Sequence, residues 1–350
     1  MTSTTSSLAL FPGVALSPAL ARAAEDAARY VIESRSASTR RIYRVQWDAW
    51  RAHCAARGIP IVPVEPAELI TYLTHRAASP SARTGRTNAP NSIRLALSAI
   101  SVIDQRARVT ESERHPRAVR SDPLVRDWLD GWSREHPRAP QRRAAAVTPA
   151  QLDLLIQTAQ ERPRGVSAGQ HVAAYARDRC MLLLGIAGAL RVSELVALDI
   201  ADVLVMERGL RVFVRKGKTD QHGKGHYRGI LPQSRTLRCP IDAWGCWLGR
   251  RGTWPGPAFV AVERDGCLGR TRLDESAARR MVTRRAKACG LELITSHSMR
   301  ATFATLASAK GKSLPRIAQQ GNWSSLDVLS GYVRQGELFE DSPTYGLLDD

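Results

Sequence analysis

Along its first third the chain carries apolar residues at the spacing of one helix face. Tyr43, Trp47, Trp50 and Cys54 follow the start signal Ser38-Thr39, and Gly58 stops the run, so an amphipathic helix is expected there. Three more helices are predicted over residues 66–78, 90–108 and 123–134, each beginning at a proline. Residues 82–90, Ala-Arg-Thr-Gly-Arg-Thr-Asn-Ala-Pro, read as a basic loop. Residues 137–146 are rich in proline and arginine, which suits an exposed linker, and a new helix opens with Thr148 as its cap and Pro149 as its first residue.

The period changes in the second half. Residues 176–186 are strongly apolar and Gly188 ends them. Leu210 to Arg215 then alternates, Gly223 and Gly225 mark a turn, and Tyr227 to Leu231 returns, which predicts a β-hairpin. After Cys239 the pattern reads as helix again. The expected fold is mainly α with a small antiparallel β element. It comprises an all-helical N-terminal domain over 17–136, a basic linker over 137–147 and a mixed α/β domain over 148–334. A disordered start (1–16) and a tail (335–350) flank them, and no internal repeat is evident.

Charge adds a partner to this picture. The 51 basic residues outnumber the 33 acidic ones for a formal charge of +18, which points to a polyanion. Arg40, Arg44 and Arg51 fall within about 40° of one another on the first helix, beside its apolar stripe and without acidic residues among them. They read as a phosphate-facing surface. Arg41, Arg94, Arg142 and Arg143 join the candidate DNA contacts, with Lys216 and Lys224 from the hairpin. Lysine occurs at only six positions, the first of them Lys216. Guanidinium does not give up a proton near neutral pH, so a lysine in an arginine-biased chain is a candidate proton donor.

Six scattered cysteines lack metal-ligand spacing and read as reduced packing residues. The first 16 residues do not resemble a signal peptide, and no apolar run approaches the length of a membrane span. A cytoplasmic, nucleoid-associated protein is expected, with no membrane partner and no small-molecule substrate.

The chemistry concentrates near the C-terminus. Tyr332 lies in Asn322-Trp323-Ser324-Ser325-Leu326-Asp327-Val328-Leu329-Ser330-Gly331-Tyr332-Val333-Arg334, downstream of Ser296-His297-Ser298-Met299-Arg300 and of Gly188-Ala189-Leu190-Arg191-Val192-Ser193-Glu194. A phenol attacks phosphorus usefully only if its proton is taken and cations hold the phosphate. His297 and Arg300 are three residues apart, so at a helix start they share one side.

These three blocks, with Arg215-Lys216-Gly217-Lys218-Thr219 in the hairpin and the Tyr43, Trp47, Trp50, Cys54 stripe, together resemble the tyrosine recombinase (phage integrase) family, most of all its two-domain Cre-type and Xer-type members. The likeness runs from about Ser17 to the C-terminus. Each block alone is weak; their order and spacing make the signal. The resemblance implies Tyr332 as the nucleophile, nine positions after Trp323 as in the Cre-type pattern. It implies Arg191 and Arg300 as the pair holding the phosphate oxygens, and His297 as the group sharing the nucleophile's proton. Glu194 would orient these side chains. Trp323 stands where many relatives carry a second histidine; its indole N–H can donate but cannot titrate. Lys218 is favoured as the acid that protonates the leaving 5′-oxygen, with Lys216 the competitor.

No cofactor or metal is implied. The expected partners are double-stranded DNA with inverted half-sites and the protein itself, as a dimer on one site and a tetramer on two duplexes, coupled by the acidic and apolar tail. The expected product is a 3′-phosphotyrosyl link, exchanged through a Holliday junction. Two rivals remain: a type IB topoisomerase that reseals the same strand, and a DNA-binding regulator with an idle site.

Overall fold

Two compact units, Met1–Gln141 and Arg142–Asp350, make up the computed structural model, which describes residues 36–80, 85, 87–108, 117–136, 144–158, 165–215 and 225–336; among the described residues four amphipathic helices build the first. Helix α1 (Ala37–Arg57) starts one turn-residue earlier than expected, because Ser36 rather than Ser38 is its cap: the Ser36 side chain accepts from the Thr39 backbone N–H at 3.2 Å. It stops at Gly58, which takes the left-handed conformation (φ 65°) that closes a helix end without a Cβ clash. Helices α2 (Pro66–Ala78), α3 (Pro90–Ala107) and α4 (Pro123–Glu135) follow. Their inward faces meet around Trp50, Cys54, Leu69, Leu73, Ile93, Leu97, Ile100 and Val125, all at most 2% exposed. Residues 82–84 and 86 of the expected basic loop, and residues 137–143 of the expected linker, lie outside the described residues.

The second unit opens with α5 (Pro149–Gln157), where Thr148 and Gln151 cap each other: Gln151 N–H donates to Thr148 Oγ1 at 3.2 Å and Thr148 N–H to Gln151 Oε1 at 2.9 Å. Helix α6 (Ala168–Ala187) runs through the core, which explains its nearly unbroken apolar stretch, and α7 (Val192–Ala197) follows after a tight reversal. Three antiparallel strands come next: β1 (Val203–Met206), β2 (Gly209–Val214) and β3 (His226–Ile230), with Val212 opposite Arg228 and Val214 opposite His226. Helices α8 (Pro240–Arg251), α9 (Glu275–Ala288), α10 (Ser298–Ala309), α11 (Leu314–Gly321) and α12 (Leu326–Gly336) complete it.

Two elements differ from the sequence expectation. The hairpin is part of a three-stranded sheet, and between α8 and α9, where helix was expected, β4 (Val260–Val262) pairs with β5 (Leu268–Arg272). Strand β1 is Val-Leu-Val-Met with only Val203 buried, so its uniform apolarity shows no period of two. Strand β4 is three residues long, too short to show any period. No helix among the described residues is long and apolar enough to cross a membrane.

Candidate active site

The turn after α6 sets the first half of the site. Gly188 ends the helix, where an added Cβ would lie 2.9 Å from the Leu184 carbonyl, and Ala189 takes a left-handed φ of 46°. The chain thereby reverses, buries Leu190 and delivers Arg191 to the start of α7. Glu194, only 2% exposed, then receives two bonds from Arg191: its Oε1 from Nη1 at 2.5 Å and its Oε2 from the backbone N–H at 3.0 Å. A buried carboxylate of this kind fixes the side chain it pairs with.

Helix α10 brings the second guanidinium. The Thr295 N–H donates to Ser298 Oγ at 3.0 Å and the His297 N–H to Thr295 Oγ1 at 3.3 Å, a polar turn that leads into the helix with the His297 side exposed. Arg300, one turn on and 6% exposed, donates through Nη1 to the Ala189 carbonyl at 2.5 Å. Its Nη2 is buried and meets no acceptor among the described residues.

Trp323 and Tyr332 come from the end of the described chain. Asn322 takes a left-handed φ of 50° and turns the chain out of α11, and the Trp323 N–H donates back to the Ala318 carbonyl at 3.0 Å. The indole lies 4.0 Å from the Arg300 guanidinium carbon on one side and stacks on Phe303, centroids 6.4 Å apart, on another. The Tyr332 ring is 6.5 Å from the indole and tilted 57° to it. Thr305 Oγ1 donates to the Tyr332 carbonyl at 3.3 Å, tying α12 to α10. Arg191, His297, Arg300, Trp323, Ser324, Ser325 and Tyr332 line one cavity of about 210 Å³.

The electrostatics are lopsided. Arg191, Arg300 and a third guanidinium, Arg228, are close enough to act on one another, and Glu194 is the one carboxylate bonded to any of the three among the described residues. Burial, helped by Arg191 and then Arg228 and opposed by Glu194 and Tyr332, pushes the Arg300 pKa down to about 9. Burial likewise lowers Arg228 to about 10, with Glu194 opposing and Arg191 adding to the shift. Both shifts come first from burial, and neighbouring guanidiniums add to it, so these cations are held out of water beside like charge.

The structure thus brings Arg191, Glu194, His297, Arg300, Trp323 and Tyr332 together. Lys216, Lys218 and Lys224 lie outside the described residues, as do Arg142 and Arg143. Strands β2 and β3 bracket the lysine segment, and Arg215 anchors its near end by pairing with Asp199 at 2.5 Å and Asp202 at 2.9 Å. On α1, Arg40 is half-buried, and Arg41 and Arg44 are exposed. Arg51 departs from the expectation of a row without acidic partners, since it pairs with Asp48 one turn earlier at 3.8 Å. Arg94 is engaged within its own unit, donating to Ser133 Oγ at 2.9 Å with its guanidinium 5.1 Å from the Trp132 ring. No motif in the sequence marks Arg228. Its signal was present but faint: residue 228 shares a strand face with Ile230, so an arginine there points inward.

A sequence model described as the Phage integrase family matches residues 146–337. An integrase/recombinase xerD homolog of Selenomonas ruminantium is 30% identical over 168 residues, 47% of this chain and 49% of that protein. Tyrosine recombinase XerC of Corynebacterium efficiens is 30% identical over 169 residues, 48% and 50% of the two chains. The chain thus spans about half the length of the curated relatives it matches. In fold it resembles XerH site-specific recombinase bound to palindromic difH in a post-cleavage complex (TM-score 0.56, 16% identity, covering 82% of this chain and 73% of that one). It also resembles a lambda integrase dimer bound to a COC′ core site (TM-score 0.55, 17% identity, covering 93% and 83%). With its matched segment spanning more than half the chain, this protein belongs to the phage integrase family of tyrosine recombinases.

Proposed function

We propose that the protein is a site-specific DNA recombinase that cleaves and rejoins strands through a covalent bond to Tyr332. The observation that carries this reading is the buried Arg300 Nη2 without an acceptor, in a cavity that Arg191, His297, Trp323 and Tyr332 also line. A fixed, desolvated donor awaiting an anion stabilises charge as it develops on phosphate, because no reorganisation is needed in the transition state.

In the proposed step Tyr332 Oη attacks phosphorus while its proton passes toward His297. Arg191 and Arg300 hold the two non-bridging oxygens, and the Trp323 indole N–H donates to one of them. The bond from phosphorus to the 5′-oxygen breaks, and Lys218 supplies the proton that oxygen needs, leaving a 3′-phosphotyrosyl link and a 5′-hydroxyl. One phosphodiester is exchanged for another of similar energy, so a 5′-hydroxyl from a second duplex reverses the step without ATP. Subunits paired on inverted half-sites, and two such pairs in a tetramer coupled by the tail, would pass strands through a Holliday junction.

The test is adduct capture. The full chain is incubated with fragmented genomic duplexes carrying random nicks, so that where a nick lies just downstream of the cut the short fragment bearing the 5′-hydroxyl is lost and the strand cannot be resealed. The expected result is a detergent-resistant protein–DNA adduct, mapped to Tyr332 and abolished in Tyr332→Phe, whose DNA is recovered and sequenced. No adduct, or one on another residue, would sink the reading. Relaxation of supercoils without strand transfer between two recovered duplexes would instead favour a topoisomerase.

A further inference from the structure

We propose that Arg228, on the strand that returns from the lysine segment, is a positioning residue that locks the Arg191–Arg300 pair; this rests on the DNA-cleaving reading above. Arg228 never reaches the cavity surface: its side chain is fully buried and it is not among the cavity's lining residues. Two of its bonds nevertheless go to the acceptors that hold the pair, while its Nε and Nη2 also meet His226 Nε2 on the same strand at 3.2 and 2.9 Å. Nη2 donates to Glu194 Oε2 at 3.1 Å, and the other oxygen of that carboxylate holds Arg191 at 2.5 Å. Nη1 donates to the Ala189 carbonyl at 2.8 Å, which also accepts from Arg300, and to the Gly188 carbonyl. One rigid fork therefore shares one acceptor with each guanidinium of the pair.

Another buried arginine shows what a packing role looks like. Arg251, 1% exposed, directs its donors to the carbonyls of Gly252, Trp254 and Pro257, none of which bonds a residue of the site. Arg228 differs in where its bonds end. Its strand also reaches α11, because the Gly229 carbonyl accepts from Gln320 Nε2 at 2.9 Å, three residues before Trp323. Strand β3 thus bridges the α6–α7 turn, Glu194 and the helix before the indole, and its first residue directly follows Gly225 at the end of the lysine segment. A planar guanidinium can serve two carbonyls and a carboxylate at once; an ammonium at the same place keeps the charge but not the fork.

The experiment uses Arg228→Lys in the full chain and the duplex recovered from the wild-type adduct, nicked as a suicide substrate. A second version carries a methylphosphonate at the scissile position, which removes one of the charged oxygens the pair would hold. Loss of a group that orients a reacting one typically costs about 10- to 100-fold in activity. The expected result is a single-turnover cleavage rate down by about that much on the phosphate duplex, with DNA affinity within about threefold of wild type. On the methylphosphonate duplex the deficit should shrink several-fold, since misplaced arginines matter less when less charge develops.

Cleavage at the wild-type rate would overturn the proposal. So would an equal deficit on both duplexes, which a general loss of folded protein produces and a misplaced arginine pair does not. Should Arg228→Lys fail to fold, Arg228→Gln is judged on the same ratio; if neither folds, Arg228 is a folding determinant and the proposal falls. Failure of the wild type to form any adduct would defeat the parent reading itself, a result separate from all of these.

Discussion

A methyl group added at Gly321, a residue with no chemistry of its own, should damage the site through the indole. A Cβ there would lie 1.6 Å from Trp323 Cζ3, 2.0 Å from Cε3 and 2.6 Å from Cη2. Two effects oppose each other. Gly321 is the last residue of α11, and alanine in place of glycine gains up to about 1 kcal/mol in a helix interior, less at an end. Overpacking a fixed ring costs about 1–3 kcal/mol. The clash should win, because the ring is held by Phe303 and by the Arg300 guanidinium at 4.0 Å and has no flexible tip to swing aside. If it moves off Arg300, a cation–π contact of about 0.5–2 kcal/mol is lost as well. Gly321→Ala should therefore lose roughly 1–3 kcal/mol in urea unfolding, and cleavage should fall by about 100-fold if Arg300 follows the ring by about 1 Å. The three crowded atoms all belong to the six-membered ring, so Trp323→His removes the clash. The double variant should be less destabilised than the sum of the singles. Strict additivity, or a Gly321→Ala protein as stable and as active as wild type, would refute the reasoning.

Sulfate or inorganic phosphate should raise the thermal midpoint above that in chloride at equal ionic strength, and Arg300→Met should abolish the difference, because it removes the buried donor that lacks an acceptor. Replacing Lys218 or Lys216 by alanine slows cleavage of ordinary DNA, but a sulfur leaving atom needs no proton, so only the true acid's variant is rescued; rescue of Lys216→Ala alone reverses the assignment. Arg44→Ala should lower the slope of log affinity against log salt by about 1. Arg94→Ala should instead lower stability, since its guanidinium is bonded to Ser133 inside its unit. For Asp199, burial raises the carboxyl pKa but hydrogen bonds from Arg272 and Arg215 outweigh it and hold the group below its ordinary value. Its stabilising contribution is therefore complete above the ordinary carboxyl range and disappears as pH falls through the folded value. Asp199→Asn should accordingly destabilise at pH 7, with the gap to wild type closing in acid unfolding; a gap independent of pH would contradict this.

The helices were legible where local signals and burial agree. Trp50 and Cys54 mark one face of α1 at the expected spacing, Gly58 stops it, and the Thr148–Gln151 cap opens α5 where the Thr-Pro pair announced it. The short strands β1 and β4 were illegible because three or four residues cannot display a period. Of the candidate site, the residues converging on the cavity sit in local sequence blocks and could be named from them. Arg228 sits in no such block. What distinguishes it from the many other arginines is only that β3 turns it inward against the α6–α7 turn, and that pairing joins positions about 40 residues apart. Arg51 differs in the opposite sense: its place in the row of arginines is plain in the sequence, but its partner is the aspartate one turn before it.

The spacing of the two site arginines is set less by their own side chains than by one peptide. Arg191 follows Ala189 by two residues, and Arg300 bonds the Ala189 carbonyl from 111 residues away, so both guanidiniums are referenced to the same short turn. That turn requires a left-handed residue, and the chain places alanine there, at φ 46°, rather than glycine. An alanine in that region costs about 1–2 kcal/mol relative to its preferred conformations. The fold holds it there with the bonds that converge on the Gly188 and Ala189 carbonyls from Arg228 and Arg300. A glycine would relieve the strain but also restore the alternatives that alanine excludes, and the carbonyl shared by two guanidiniums would no longer have one fixed direction. The strained alanine and the buried arginine are thus two halves of one device: the first gives the turn a single shape, and the second transmits that shape to both cations.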